Sequence, residues 1–81
     1  MRARVYVTLK PSVFDPQGRV VADALLSLGY EDVKDVRQGK FFEVELDGGD
    51  PATAEARVTE MAEKLLANPV IESYRVELLR S

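Results

Sequence analysis

The chain has 81 residues, 46% hydrophobic and 31% charged, with 14 acidic against 11 basic side chains, a formal charge of -3, and no Cys, His or Trp. This inventory excludes disulfides, thiolate and imidazole chemistry, serine triads and zinc clusters of the common N/S type, leaving carboxylates, amines, hydroxyls and backbone as the reactive groups. An acidic balance argues against a surface made to displace counterions from nucleic acid, and this length suffices for one thin two-layer core, so residues 1–81 are expected to form a single domain.

From Arg4 to Leu9 the residues alternate, with Val5, Val7 and Leu9 on one side and Arg4, Tyr6 and Thr8 on the other, the period of a half-buried strand. Lys10-Pro11 ends it. Asp15-Pro16 opens a helix: the carboxylate can accept from a free backbone N–H, and proline at the first helical position loses no bond. Val20, Val21, Ala24, Leu25 and Leu28 then form one apolar stripe, closed by Gly29. Val33 to Gln38 reads as a strand with only two apolar residues. A hairpin around Gln38-Gly39 joins it to a strand over Lys40–Leu46, with Phe42, Val44 and Leu46 facing one way and Phe41, Glu43 and Glu45 the other. Asp50-Pro51 starts a second helix whose inner stripe is Ala54, Val58, Met61, Ala62 and Leu65, with Glu60 and Lys64 paired on its outer side and Asn68-Pro69 as its stop. Alternation returns from Val70 to Leu78, with Tyr74, Val76 and Leu78 inward.

The order is therefore βαββαβ. Two Asp-Pro helix starts in strand-helix-strand units imply an α+β two-layer sandwich: a four-stranded antiparallel sheet with both helices on one face, the ferredoxin-like arrangement. Its other face would carry Tyr6, Thr8, Phe41, Glu43, Glu45, Arg75, Glu77 and Leu79. This mixed surface, or an edge strand beside it, is where association is expected, with Tyr6, Phe41 and Leu79 as the self-association candidates.

Candidate chemistry is sparse. Glu43 and Glu45 could pair as acid and base, but residues i and i+2 on an uncovered sheet face are more simply solvated. Arg37 and Lys40 flank the expected turn and are the best local candidates for an anionic or acidic partner, although basic residues at a hairpin tip more usually mean a hydrated turn. Gly48-Gly49 lack the order of a phosphate loop, and no cofactor or metal site is expected. Gly39-Lys40-Phe41-Phe42 faintly echoes an RNA-recognition motif, with Phe41 and Tyr6 as stacking residues, yet Glu43, Glu45 and Glu77 share that face and repel phosphates. A small-molecule-binding regulatory dimer of the same topology is the other alternative. Apolar runs are short and Met1 leads straight into the first strand, so neither a membrane span nor a signal peptide is expected, and the location is expected to be cytoplasmic.

Taken together, Val5-Tyr6-Val7-Thr8-Leu9-Lys10-Pro11, Asp15-Pro16-Gln17-Gly18, Leu28-Gly29-Tyr30, Val33-Lys34-Asp35-Val36-Arg37, Gly39-Lys40 and Lys64-Leu65-Leu66-Ala67-Asn68-Pro69-Val70-Ile71-Glu72 resemble the PurS family, the small subunit of phosphoribosylformylglycinamidine (FGAM) synthase. The resemblance covers nearly the whole chain in the same order. It implies a noncatalytic component of a purine-biosynthetic ligase in which a glutaminase subunit releases ammonia and a large synthetase subunit uses ATP and Mg to activate its amide substrate. The small subunit, a homodimer or higher homo-oligomer, would join the two and assist ammonia transfer, with no nucleic acid or membrane as partner. Lys10, Gln17, Arg37 and Lys40 are the expected contacts to the larger subunits, because polar groups in loops held by rigid elements are where recognition commonly sits.

Overall fold

Alternation places Ala3, Val5 and Val7 on one side of the first strand, and in the computed structural model, which describes residues 1–79, these three are the most deeply buried part of the sheet. The elements are β1 (Arg2–Leu9), α1 (Pro16–Ser27), β2 (Gly39–Glu45), α2 (Pro51–Met61), a π-helical turn (Ala62–Leu66) that continues α2, and β3 (Glu72–Leu79). β1 is central, with β2 and β3 antiparallel on either side. The register sets Val5 beside Phe42 and Val76, and Tyr6 beside Phe41 and Arg75. One face of this sheet meets α2: Val58 and Ala62 are fully buried against Ala3, Val5 and Val7, with Phe42, Tyr74, Val76 and Leu78 packed around them.

The sheet has three strands rather than the four expected, because residues 33–38 form no ladder. Their backbone is held by α1 instead. The amide of Gln38 donates to Asp15 Oδ2 at 2.6 Å, and Val36 lies against Gly18, where an alanine Cβ would come within 2.9 Å of the Val36 carbonyl carbon. With only two apolar side chains, this stretch gains little from joining a sheet, and the buried Asp15 carboxylate offers its amide a charged acceptor. The expected hairpin at Gln38-Gly39 is consequently absent, and Gly39 opens β2.

Helix boundaries follow the residues that cap them. Asp15 accepts from Gly18 N and Asp50 from Thr53 N, each preceding a proline at the first helical position. Gly29, at φ 103°, closes α1: the amides of Gly29 and Tyr30 return to the carbonyls of Leu26 and Leu25, the bonding pattern of a Schellman cap. The two helices are not equivalent, however. α2 packs on the sheet, leaning toward β3, whereas α1 makes only marginal contact with any strand and extends the molecule to 49 Å. Its radius of gyration, 16.0 Å, exceeds the roughly 12 Å of a compact chain this long.

The end of α2 departs from the expected stripe in one residue. In the π-helical turn Ala67 N donates to Ala62 O, five residues back, which adds a residue to the last turn. The inward position passes from Leu65 to Leu66 and Ala67, and Leu65 is 83% exposed. A period of 3.6 residues assumes no such insertion.

Candidate functional site

Lys10, Gln17, Arg37 and Lys40 lie far apart in sequence, yet the fold gathers them at one end of the sheet, where the loops after β1 and before β2 and β3 meet. An open crevice of about 230 Å³ there has Asp15, Gln17, Lys40 and Glu72 on its walls, and Arg37 borders a neighbouring depression with Asp35 and Pro11. The loop from Lys10 to Asp15 is firmly tied. Lys10 N donates to Ile71 O at 2.9 Å and Val13 N to Lys10 O at 2.8 Å, and Arg37 Nη2 donates to the carbonyls of both Lys10 and Val13 at 3.0 and 2.8 Å.

Two of the four expected partner contacts are thus engaged within the chain. Arg37 braces the loop, and Lys40 Nζ approaches Glu72 Oε2 and the Leu66 carbonyl, each at 3.4 Å. Glu72, itself 14% exposed, also accepts from Asn68 N at 2.6 Å and so joins the end of the helix to β3. Sequence reasoning identified Asp15 as a cap but missed its second role. One oxygen accepts from Gly18 N at 2.9 Å and the other from Gln38 N, across 23 residues. These two amides hold its pKa below the ordinary value, burial opposing them in part.

A depressed carboxylate pKa stabilises the fold at pH above the unfolded value near 3.8, and that stability disappears as pH falls through the folded value. Asp15→Asn should therefore lower Tm at neutral pH by roughly 8–15 °C, since its amide group would face a backbone N–H, and the deficit should shrink below about pH 4. Melting curves of both proteins across that range provide the check; a deficit independent of pH would contradict the assignment.

The outer sheet face carries the residues expected there, and it is neutralised from within. Arg4 lies between Glu43 at 3.3 Å and Glu77 at 3.7 Å, and the hydrogen bond to Glu43 raises its pKa. Tyr6 Oη donates to Glu77 at 3.0 Å, its ring lies 5.3 Å from that of Phe41, and the Arg75 guanidinium sits 4.2 Å above it. Leu79 is half-buried opposite Arg2. Among the described residues no group of three or more His, Cys, Asp or Glu side chains could hold a metal ion, and no helix is long and apolar enough to cross a membrane.

A further apolar surface lies on α1, which makes only marginal contact with the sheet. Val20 is 67% and Leu28 74% exposed, and Val21, Leu26 and Tyr30 are exposed as well; α1 buries Gly18 and Ala22 and half-buries Leu25, so most of its expected apolar stripe is left uncovered within the chain. Its presence was legible as helical spacing; its lack of a cover was not. In total the chain exposes 5923 Å², about 1,000 Å² more than the roughly 4,900 Å² of a compact 9.0 kDa monomer.

A small α+β chain whose first helix leaves Val20 and Leu28 largely exposed has the character of a subunit that works through association. The comparisons agree with this class. A family model described as PurS, phosphoribosylformylglycinamidine (FGAM) synthase, matches residues 2–80. The phosphoribosylformylglycinamidine synthase subunit PurS of Bacillus subtilis is 51% identical over 77 residues, 95% of this chain and 90% of that one. The crystal structure of Methanocaldococcus jannaschii PurS, one of the subunits of formylglycinamide ribonucleotide amidotransferase in the purine biosynthetic pathway, superimposes with a TM-score of 0.89 at 35% identity, covering 99% of this chain and 96% of that one. A chain in the structure of PurLQS from Thermotoga maritima gives a TM-score of 0.87 at 31% identity, covering 96% and 95% of the two chains. This chain belongs to the PurS family, the small subunit of FGAM synthase in purine biosynthesis.

Proposed function

We propose that the chain bridges the glutaminase and ATP-dependent synthetase subunits of FGAM synthase as a homo-oligomer, performing no bond chemistry of its own. The observation that carries this reading is the surplus of about 1,000 Å² of surface, together with Val20, Val21 and Leu28 of α1, which a free monomer would leave wet. The physical task is placement and exclusion of water. Ammonia released into neutral water is mostly protonated and no longer a nucleophile, so an assembly that keeps the two active sites connected preserves its reactivity. ATP and Mg belong to the synthetase, and this chain binds neither. The assembly works in the cytoplasm, without nucleic acid or membrane.

This end of the sheet, with Gln17 exposed, Lys10 half-buried, Arg37 bracing the Lys10–Val13 loop and Lys40 paired with Glu72, faces the larger subunits. Tyr6, Phe41 and Leu79 on the outer sheet face, with the strand edges, make the contacts between copies. Reconstitution with synthetase and glutaminase, with ATP-Mg and either glutamine or ammonia as nitrogen source, tests the reading. Omitting this chain should abolish glutamine-dependent amidine formation while leaving ammonia-dependent formation; equal glutamine-dependent turnover without it would overturn the proposal. Charge reversal at Arg37 and Lys40 should weaken the ternary complex on a sizing column while the isolated chain stays folded.

A further inference from the structure

We infer that the turn from α2 into β3 is a docking knuckle, whose Leu65, Val70 and Ile71 enter an apolar socket with an acidic rim on a larger subunit of the synthase. This rests on the bridging reading above and names the side chains that carry the contact. The interior makes little use of these residues: Leu65 is 83% exposed, Val70 78% and Ile71 40%. Leu65 is set outward by the π-helical turn itself, since Ala67 N reaches back to Ala62 O while Leu66 and Ala67 take the inward positions.

Apolar side chains on a loose loop would lose entropy on docking, but this turn is held from several sides. The side-chain oxygen of Asn68 accepts from Val70 N at 3.1 Å, and its carbonyl accepts from Ile71 N and Glu72 N at 3.1 and 2.7 Å. Asn68 N donates in turn to Glu72 Oε1 at 2.6 Å, and Ile71 O accepts from Lys10 N at 2.9 Å. The carboxylates nearby are engaged within the chain: Glu60 with Lys64, Glu63 with Tyr74, and Glu72 with Lys40 and Asn68. A rigid apolar projection ringed by paired charges has the anatomy of an interface anchor, because its ordering is complete before the partner arrives.

The occupant follows from charge. Residues 10–19 and 33–40 are joined to each other through Asp15 and Arg37, and to the knuckle through Lys10 and Lys40. They hold five basic side chains against two acidic ones, in a chain that has 11 basic and 14 acidic overall. One of the two acids, Asp15, is buried and accepts from two amides. The rim beside the knuckle is therefore positive and is complemented by an acidic surround. A second copy does not provide one: twofold pairing sets this end against itself, cation against cation, and a head-to-tail contact makes a ring or a filament rather than a bridge.

Leu65→Ser and Val70→Ser, singly and together, test the knuckle by titration of the full chain against the synthetase and glutaminase subunits, each immobilised separately. Leu65→Ala and Val70→Ala replace them if either serine lowers Tm. Thermal melts and sedimentation of the variants should match the parent, because both positions are exposed. The double variant should bind its larger subunit about 30-fold more weakly or worse, chiefly through a faster koff, whereas Lys10→Glu should slow kon and reduce its dependence on salt. Undiminished affinity of the double variant for a subunit that the parent binds would overturn the knuckle and leave the bridging reading standing. Loss of self-association in the double variant would assign the turn to contacts between copies and overturn it as well. A parent chain that binds neither subunit would remove both readings.

Discussion

Alanine at position 18 is expected to destabilise the protein by about 3 kcal/mol, although Gly→Ala inside a helix ordinarily stabilises by up to about 1 kcal/mol. The added Cβ would meet the Val36 carbonyl and come within 2.8 Å of Asp15 Oδ2, and neither a backbone carbonyl nor a carboxylate fixed by two amides can yield without loss. The first turn of α1 would lift from residues 33–38, Gln38 would lose its acceptor, and the helix would no longer be presented in a fixed direction. Chemical denaturation measures the loss. Gly48→Ala is the internal control: nothing lies within 4 Å of its Cβ position, so the same exchange should change stability by no more than about 0.5 kcal/mol. Equal behaviour of the two variants would refute the close approach at Gly18.

The second large effect is expected at the sheet centre. Val5 has no exposed surface, lies on the middle strand between Phe42 and Val76, and belongs to a core made mainly of valine and alanine. Val5→Ala removes two methyl groups where both neighbouring strands are fixed by their ladders, so little collapse can fill the cavity. A loss of about 2–3 kcal/mol follows, equivalent to a Tm decrease of roughly 10–20 °C. For a chain of this size, whose whole stability is of the order of 4–12 kcal/mol, that is a major fraction. A thermal melt within about 3 °C of the parent would mean that the core rearranges freely around β1.

Period and capping were enough to locate β1, both helices, β2 and β3, because each carries apolar residues at the spacing of its own geometry and each helix begins with Asp-Pro. Three features were not legible, each for a different reason. Residues 33–38 alternate weakly, and their fate was decided by a carboxylate distant in sequence, at Asp15. Leu65 fits the inner stripe of an ideal helix, and only a hydrogen bond spanning five residues turns it outward. The stripe on α1 names an apolar face without naming what covers it. Of the four polar residues expected in loops at one end of the sheet, Lys10 and Arg37 are in loops, whereas Gln17 lies in the first turn of α1 and Lys40 in β2. Their individual roles depend on distances: Arg37 and Lys40 turn their charges toward the chain's own carbonyls and Glu72.

The π-helical turn at Ala62–Leu66 has a consequence for chain length in this family. A hydrogen bond from residue 67 to residue 62 marks one surplus residue relative to a regular α-helix, and the surplus side chain is Leu65, which the interior does not use. Loss of that single codon would convert the turn to ordinary α-helical bonding and keep Leu66 and Ala67 facing the core. A chain one residue shorter at this point can therefore keep the same interior with ordinary α-helical winding.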